Sequence, residues 1–123
     1  MKKAIVTLAI GEDYINRWRA FCEPNWKAYA KKYGYELIIF DKPLDNSIRA
    51  SSRSAAWQKC LILDQVAVNK FDRVVWMDSD IVINDALALD IVSLVPKESI
   101  GGTDAFSFYT GKFYSFLFEI YEQ

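Results

Sequence analysis

The chain has no histidine and only two cysteines, and both facts limit the catalytic groups and metal ligands that it can use. Without histidine, it lacks the commonest general base and the commonest zinc ligand, and no Ser–His or Cys–His nucleophile can form. Cys22 and Cys60 show no C-x-x-C spacing and are too few for a disulfide framework, so we expect both thiols to lie in the core. Any chemistry must therefore use carboxylates, Lys, Arg, hydroxyl groups or a bound ion.

Long apolar runs and an excess of one charge are also missing. No run approaches the roughly 20 residues of a membrane-spanning helix, so we expect no transmembrane segment. The apolar run at residues 4–10 is short and no small-residue cleavage site follows it, which argues against a signal peptide and for a cytoplasmic location, with peripheral membrane attachment left open. The 15 Lys and Arg residues nearly balance 16 Asp and Glu residues, so we expect no nucleic-acid partner.

The composition is otherwise that of an ordinary globular protein, with 52% apolar, 15% aromatic and 25% charged residues. These values exclude disordered, collagen-like and coiled-coil classes. A chain of 123 residues can bury roughly two-thirds of its unfolded surface in one core. We therefore predict a single domain over residues 1–123.

Three short runs rich in apolar and β-branched residues predict a sheet. They cover residues 4–10, 36–40 and 73–77, and their nearly continuous apolar character is typical of strands buried on both faces of a parallel sheet. Weaker patterns downstream are compatible with strands at 81–83 and 99–109, a short helix at 86–94, and a helix or strand at 112–121.

Helical patterns separate these runs. Residues 12–33 predict two helices, with Pro24 in the first turn of the second and Gly34 as its stop signal. Ser54 is a predicted N-cap for a helix over residues 55–69. The stripe of this helix that we expect to pack on the sheet consists of Ala56, Cys60, Leu63 and Ala67. The alternation predicts an α/β fold, a three-layer α/β/α sandwich with a Rossmann-like, mostly parallel sheet.

Acidic residues follow the predicted strands. Asp41 comes after the second strand, and Asp78 and Asp80 come after the third. Parallel sheets bind ligands beyond the carboxyl ends of their strands, so these side chains are expected at one rim. Oxygen ligands without His or Cys suit Mn²⁺ or Mg²⁺, which usually take one or two carboxylates plus substrate phosphates. The pattern predicts a metal site with a diphosphate ligand; the plainer alternative is a loop whose aspartates cap backbone amides.

Two motifs in this order resemble a known family. The W-Q-K of residues 57–59 opens a predicted helix, and the V-V-W-M-D-S-D-I-V-I of residues 74–83 forms the third strand and its continuation. Together they resemble the W-x-K and W-h-D-x-D motifs of GT-A-type glycosyltransferases, in the family of galactosyl-, mannosyl- and xylosyltransferases, over about residues 3–85. The resemblance implies a GT-A-type sheet, a nucleoside-diphosphate sugar donor and a glycan, lipid or protein acceptor.

The resemblance also implies roles for single residues. Asp80 resembles the carboxylate that binds Mn²⁺ or Mg²⁺ at the diphosphate, Asp78 its partner on the metal or the donor ribose, and Lys59 a lysine that neutralises charge on the departing diphosphate. Further candidates for contact with the nucleotide or sugar are Thr7, Ala9 and Ile10 at the end of the first strand, Asp41, and Arg53 beside the predicted helix. The plainer alternatives are that Lys59 only extends from the helix into water, that Thr7 is an ordinary strand residue, that Asp41 forms a turn and that Arg53 is a surface loop residue.

Two aromatic residues near these motifs are expected to pack rather than bind. Tyr14 shares helical spacing with Trp18, which favours the core over stacking on a base, and Trp57 is expected to lie beneath the site. For the aromatic residues between 106 and 121, we expect a place in the core, or an apolar face covered by a second copy of the chain, in preference to stacking on sugar rings.

Few residues follow Asp80 compared with the second, acceptor-binding half that is usual in this family. The family usually supplies a further metal ligand there, often a histidine, and this chain has none. We therefore expect an acceptor-binding half that is shortened or missing, and the residues identify no catalytic base.

Two other functions remain open. One is a non-catalytic module, or fragment, that binds nucleotide sugars. The other is a haloacid-dehalogenase-type phosphatase, because D-S-D-I-V at residues 78–82 also fits D-x-D-x-[TV]. Asp78 would then be the nucleophile and Asp80 the acid or base, although that family places the motif after its first strand.

Overall fold

The computed structural model describes residues 1–103 and 118–121, which fall into two compact units, Met1–Ala88 and Leu89–Gln123. In chain order, the first unit contains β1 (Lys3–Leu8), α1 (Glu12–Phe21), α2 (Glu23–Tyr33), β2 (Tyr35–Phe40), α3 (Ile48–Ser51), a 3₁₀ helix (Ala55–Asp64) and β3 (Arg73–Trp76). The second unit contains a short 3₁₀ helix (Ile91–Leu94), β4 (Ile100–Thr103) and β5 (Phe118–Tyr121), and β4 pairs antiparallel with β5.

The sheet of the first unit has three parallel strands in the order β2-β1-β3. Ile5 at the centre of β1 lies opposite Leu37 on one side and Val75 on the other. The central strand is the buried one: residues Ala4, Ile5, Val6 and Thr7 are all at most 1% exposed. The prediction of an α/β fold with a parallel sheet built from these three runs is therefore confirmed.

The strand order places a topological switch point beside β1. After β1 the chain passes through α1 and α2 to β2 on one side, and later returns to β3 on the other side. Successive connections that leave a central strand in opposite directions open a crevice at the carboxyl ends of the strands. Here that crevice lies between the ends of β1 and β3.

Side chains on β1 anchor the core. Ala4 and Val6 form a buried cluster with Ile62 and Val68, which come from the 3₁₀ helix and the turns that follow it. The partly buried side chains around this cluster are Ile38, Phe40, Leu44, Phe71, Val74 and Trp76. Each Å² of apolar surface that is buried stabilises a fold by roughly 25 cal/mol. The contact of Ile62 and Val68 with β1 therefore holds the connection from β2 to β3 in place.

The two helices between β1 and β2 begin and end as the sequence predicts. Pro24 occupies the first turn of α2, where its missing N–H costs no helical hydrogen bond. Gly34 ends α2 in the left-handed conformation, with φ 73° and ψ 41°. A side chain at that position would be strained, so glycine is the natural stop signal. Between the helices, Trp18 and Trp26 pack edge to face with ring centroids 5.7 Å apart.

The predicted α-helix over residues 55–69 is wrong. The structure has a 3₁₀ helix from Ala55 to Asp64 and turns after it, and the predicted inward stripe is exposed while Gln58 and Ile62 are buried. The cause is a tertiary contact: the Gln58 amide bonds the backbone of the loop after β2, which turns this side of the helix inward. Cys60 is consequently exposed, so only Cys22 is a core thiol as expected.

The predicted strand at 81–83 is also wrong. The carbonyl oxygens of Ile81 and Ile83 accept hydrogen bonds from the side chains of Trp26 and Asn25, and these bonds replace the backbone ladder of a strand. The predicted helix at 86–94 is reduced to a turn that begins at Asn84 and the short 3₁₀ helix.

The other two downstream patterns, at 99–109 and 112–121, are confirmed where the structure describes them. Strands form at Ile100–Thr103 and Phe118–Tyr121, while residues 104–117, with most of the aromatic segment proposed to cover a second copy, lie outside the described residues. No helix in the described part of the chain combines the length and the apolar character needed to cross a bilayer.

Candidate functional site

A pocket of about 420 Å³ opens at the switch point of the sheet. Three parts of the chain line it. The end of β1 and the start of α1 contribute Leu8, Ile10 and Tyr14, the start of the 3₁₀ helix contributes residues 54–56 and Lys59, and β3 with its following loop contributes Trp76, Asp78, Ser79 and Asp80. The pocket therefore lies where a parallel sheet of this strand order is expected to bind a ligand.

Two carboxylates come directly after β3. Asp78 and Asp80 are both exposed, and Asp78 Oδ1 accepts a hydrogen bond of 3.0 Å from the indole Nε1–H of Trp76. Among the described residues, neither carboxylate is paired with a lysine or arginine. Two like charges in one pocket repel each other, so this arrangement favours the binding of a cation.

The backbone on both sides of Asp80 is held by the helices. The carbonyl of Ser79 accepts from the thiol of Cys22 at 3.4 Å, and the carbonyl of Ile81 accepts from the indole N–H of Trp26 at 2.8 Å. Burial raises the pKa of the Cys22 thiol above its ordinary value, and the negative charge of Asp80 raises it further. Cys22 is therefore a neutral donor beside the acidic loop.

Lys59 supplies the positive charge of the pocket. It lies near the start of the 3₁₀ helix, whose first turn is capped by Ser54, with its Oγ accepting from the Ala56 N–H at 3.3 Å. The cap confirms the predicted helix start. An ammonium group in a pocket with two carboxylates suits a ligand that brings both a cation and an anion, such as a metal diphosphate.

Aromatic rings form a further part of the lining. Tyr14 is 63% exposed and borders the pocket, so the expectation that it packs in the core is wrong. It lies in the first turn of α1, which starts only four residues after β1 ends, and this short connection leaves the ring at the rim. Trp57 is 64% exposed and does not border the pocket, so it does not pack beneath the site as expected. The inward turn of Gln58 carries its neighbour outward.

The structure brings together half of the predicted site residues. Ile10, Lys59, Asp78 and Asp80 line one pocket, although they come from three separate parts of the chain. The candidates outside the lining are Thr7 and Ala9, which are buried, and Asp41 and Arg53, which are exposed. Thr7 Oγ1 is buried without a hydrogen-bond partner in the described structure.

Sequence reasoning missed part of the lining. The missed residues are Leu8, Ser54, Ala55, Ala56, Trp76 and Ser79. The alternation of side chains along a strand was an available signal, because Trp76 is two residues before Asp78 and Leu8 two before Ile10, so each pair shares a face. No comparable sequence signal marks residues 54–56, which line the pocket at the start of the 3₁₀ helix.

The donor set suits a hard divalent cation. No group of three or more His, Cys, Asp and Glu side chains within the described ranges is arranged to hold a metal. Asp78 and Asp80 provide two carboxylate groups at one pocket, and Mg²⁺ or Mn²⁺ usually binds through one or two carboxylates, with water and substrate phosphates completing the shell. The residues therefore fit such an ion bound together with a phosphate ligand.

Comparison of the chain with protein-family models, curated proteins and solved structures found no match.

Proposed function

We propose that this chain binds a nucleoside-diphosphate sugar through Mn²⁺ or Mg²⁺ and transfers the sugar to an acceptor hydroxyl, as a metal-dependent glycosyltransferase with a three-layer, GT-A-type nucleotide-binding half. One observation carries the proposal: the pocket at the switch point of the parallel sheet joins the two aspartates after β3 to Lys59 and to exposed aromatic surface. Each part of this combination corresponds to a part of the donor, as follows.

The diphosphate is the part that the charged groups recognise. Asp78 and Asp80 would hold the divalent cation, and Lys59 binds a phosphate oxygen directly. When bound, the cation neutralises charge on the diphosphate as it leaves the sugar. The three side chains carry a net charge of −1 when all are ionised, so a divalent cation leaves the site positive and able to bind a doubly or triply charged diphosphate.

The nucleoside is the part that the uncharged surface recognises. Tyr14 offers an exposed ring on which a base can stack, and Leu8 and Ile10 offer apolar contacts beside it. The pocket volume of about 420 Å³ falls in the ordinary range for small-molecule sites, roughly 300–1,000 Å³. A base and ribose with the diphosphate therefore fit the size and the lining of this pocket.

The reaction exchanges one C–O bond for another. The acceptor hydroxyl of a glycan, lipid or protein forms a bond to the anomeric carbon, the bond from that carbon to the diphosphate oxygen breaks, and the acceptor proton passes to a base. Lys59 stabilises the negative charge that grows on the departing oxygen, an interaction stronger in the transition state than in the ground state. No side chain in the described pocket is assigned as the base.

The first test is binding. The full chain is titrated with UDP, GDP and ADP, with and without Mn²⁺, by isothermal calorimetry. At least one nucleotide should bind in a Mn²⁺-dependent manner, and Asp80→Ala should abolish that dependence while the circular dichroism spectrum is retained. Asp64→Ala removes an exposed carboxylate outside the pocket and should bind as the unaltered chain does. Unchanged nucleotide affinity in Asp80→Ala would remove the proposed site.

The second test is turnover. The chain is incubated with Mn²⁺, a panel of nucleotide sugars and acceptor alcohols, and release of the free nucleoside diphosphate is measured. Release that is lost in Asp80→Ala supports the transferase. Metal-dependent nucleotide binding without release retains the site and indicates a non-catalytic binding module. Release of phosphate from phosphomonoesters, abolished by Asp78→Asn, indicates instead the phosphatase reaction.

A further inference from the structure

Residues 79–85, which are not part of a strand, are bonded by side chains of α2 and of the residue before it. Its carbonyl oxygens accept at every second residue, from Cys22 Sγ to Ser79 (3.4 Å), from Trp26 Nε1 to Ile81 (2.8 Å), from Asn25 Nδ2 to Ile83 (2.7 Å) and from Lys32 Nζ to Asp85 (3.4 Å). Asn25 Oδ1 also accepts from the Ile83 N–H at 2.7 Å. The side-chain amide of Asn25 therefore satisfies both backbone groups of Ile83, its N–H and its carbonyl, as a paired strand residue would.

The spacing of the donors and acceptors explains this arrangement. The donors lie at positions 22, 25, 26 and 32, which recur at helical spacing and mark one face of α2 and the residue before it. The acceptors are the carbonyls of every second residue from 79 to 85, in a segment that has turns at both ends. One face of the helix therefore supplies the hydrogen-bond donors for these carbonyls.

Two of these hydrogen bonds bracket Asp80. The Ser79 carbonyl, in the peptide before Asp80, accepts from Cys22, and the peptide directly after Asp80 is held by the Ile81 N–H, which donates to the Asp78 carbonyl at 3.2 Å. Trp26 then holds the next peptide of the loop, at the Ile81 carbonyl. With both neighbouring peptides fixed, the backbone dihedrals of Asp80 are restricted, and its side chain borders the pocket. Of the two donors, the indole N–H of Trp26 makes the shorter bond, and a thiol is a weak donor.

We infer that Trp26, assisted by Cys22, is a positioning residue that sets the direction of the Asp80 carboxylate, and this inference rests on the proposed metal-binding function of Asp80. The ring and the N–H of Trp26 have separable roles. The ring is fully buried and packs edge to face on Trp18, which stabilises the fold. The N–H bonds the acidic loop. Outer groups that orient a metal ligand commonly contribute tenfold to hundredfold in metal affinity.

The chain offers a matched control for the N–H. Trp18 is 3% exposed, lies in the same ring pair, and its Nε1 has no hydrogen-bond partner in the described structure. Trp18→Phe and Trp26→Phe therefore delete the same atoms from neighbouring buried sites, and only the second removes a hydrogen bond to the acidic loop. A role in packing alone predicts similar effects for both variants.

The experiment measures loop opening and metal binding in the full chain. Hydrogen exchange by mass spectrometry should show exchange about fivefold faster over residues 78–84 in Trp26→Phe than in Trp18→Phe, with equal exchange in β1. Titration with Mn²⁺, followed by electron paramagnetic resonance, should show a Kd raised about tenfold, the lower end of that range, in Trp26→Phe and unchanged in Trp18→Phe. Equal exchange over residues 78–84 in the two variants would overturn the inference.

A second pair of variants guards against loss of folding in the tryptophan variants. Cys22→Ser keeps a donor for the Ser79 carbonyl and should retain the Mn²⁺ Kd, whereas Cys22→Val lacks the donor and should raise it about twofold to threefold. Equal Kd values for these two would contradict the assisting role of Cys22. If the unaltered chain binds no Mn²⁺, the proposed function fails, and the exchange over residues 78–84 alone decides whether Trp26 holds the loop.

Discussion

The indole Nε1 of Trp76 lies 3.0 Å from Oδ1 of Asp78, two residues further along the chain, and donates a hydrogen bond to it. The same indole is partly buried against the core cluster of Ala4, Val6, Ile62 and Val68. A single side chain therefore connects the apolar interior of the sheet to the first carboxylate of the acidic loop. Asp78 is held by its own strand, while Asp80 is held through α2.

Replacing Trp76 by phenylalanine tests this connection. Trp76→Phe keeps an aromatic ring in the core but removes the donor to Asp78, so the carboxylate gains freedom to rotate. We expect the Kd for Mn²⁺ to rise about tenfold, at the lower end of the range for outer partners of metal ligands. Trp57→Phe, at an exposed tryptophan outside the pocket, should leave the Kd unchanged. Calorimetric titration measures the Kd for Mn²⁺ in both variants, and equal values would contradict a role for the indole N–H.

The regular elements of the fold were the predictable part. Strands β1, β2 and β3 have continuous apolar runs, and Pro24 and Gly34 have strong local preferences, so the pattern reports them directly. The 3₁₀ helix was not predictable, because the Gln58 amide finds its partners in a loop 13 or 14 residues earlier. Likewise, the β-like sequence at 81–83 forms no strand, because its backbone bonds to the side chains of Asn25 and Trp26, and these contacts depend on how α2 packs.

The candidate site was predictable in its charged residues and not in its surroundings. Asp78 and Asp80 are conspicuous in the sequence because they directly follow a strongly apolar strand. Lys59 is identified by its place in the W-Q-K motif. The helical spacing of Tyr14 and Trp18 predicts that both lie in the core, yet Tyr14 is exposed and Trp18 is buried. Periodicity identifies a helix face, but the sheet that the helix packs on determines which part of that face is covered.

The two thiols should differ in reactivity. Cys60 is exposed, whereas Cys22 is 3% exposed, and burial followed by the charge of Asp80 raises its pKa above the ordinary 9.0. Because alkylation requires the thiolate, iodoacetamide at pH 8 should modify Cys60 at least about tenfold faster than Cys22. Peptide mapping by mass spectrometry measures both rates. Equal rates in the folded chain would show that Cys22 is neither buried nor raised in pKa.

The same pKa shift gives the stability of the chain a pH dependence. The folded state binds the Cys22 proton more tightly than the unfolded state, so this group favours folding fully below the ordinary thiol pKa of 9.0. The contribution is lost as the pH rises through the higher folded-state pKa. The urea midpoint should therefore fall more steeply above pH 9 in the unaltered chain than in Cys22→Ala. Parallel declines in the two chains would contradict this linkage.

Gln58 should contribute more to stability than other polar residues of the same connection. Its Oε1 accepts from the backbone N–H groups of Leu44 and Asp45, both at 2.8 Å, and its Nε2 donates to the Asp45 carbonyl at 2.9 Å. Gln58→Leu leaves these groups without a partner, and we expect it to lower the free energy of unfolding by about 1–3 kcal/mol. Gln65→Leu removes one hydrogen bond, to Leu61 in the adjacent turn, and should cost less than about 1 kcal/mol. Urea denaturation followed by circular dichroism measures both, and equal midpoints would show that the loop does not depend on this amide.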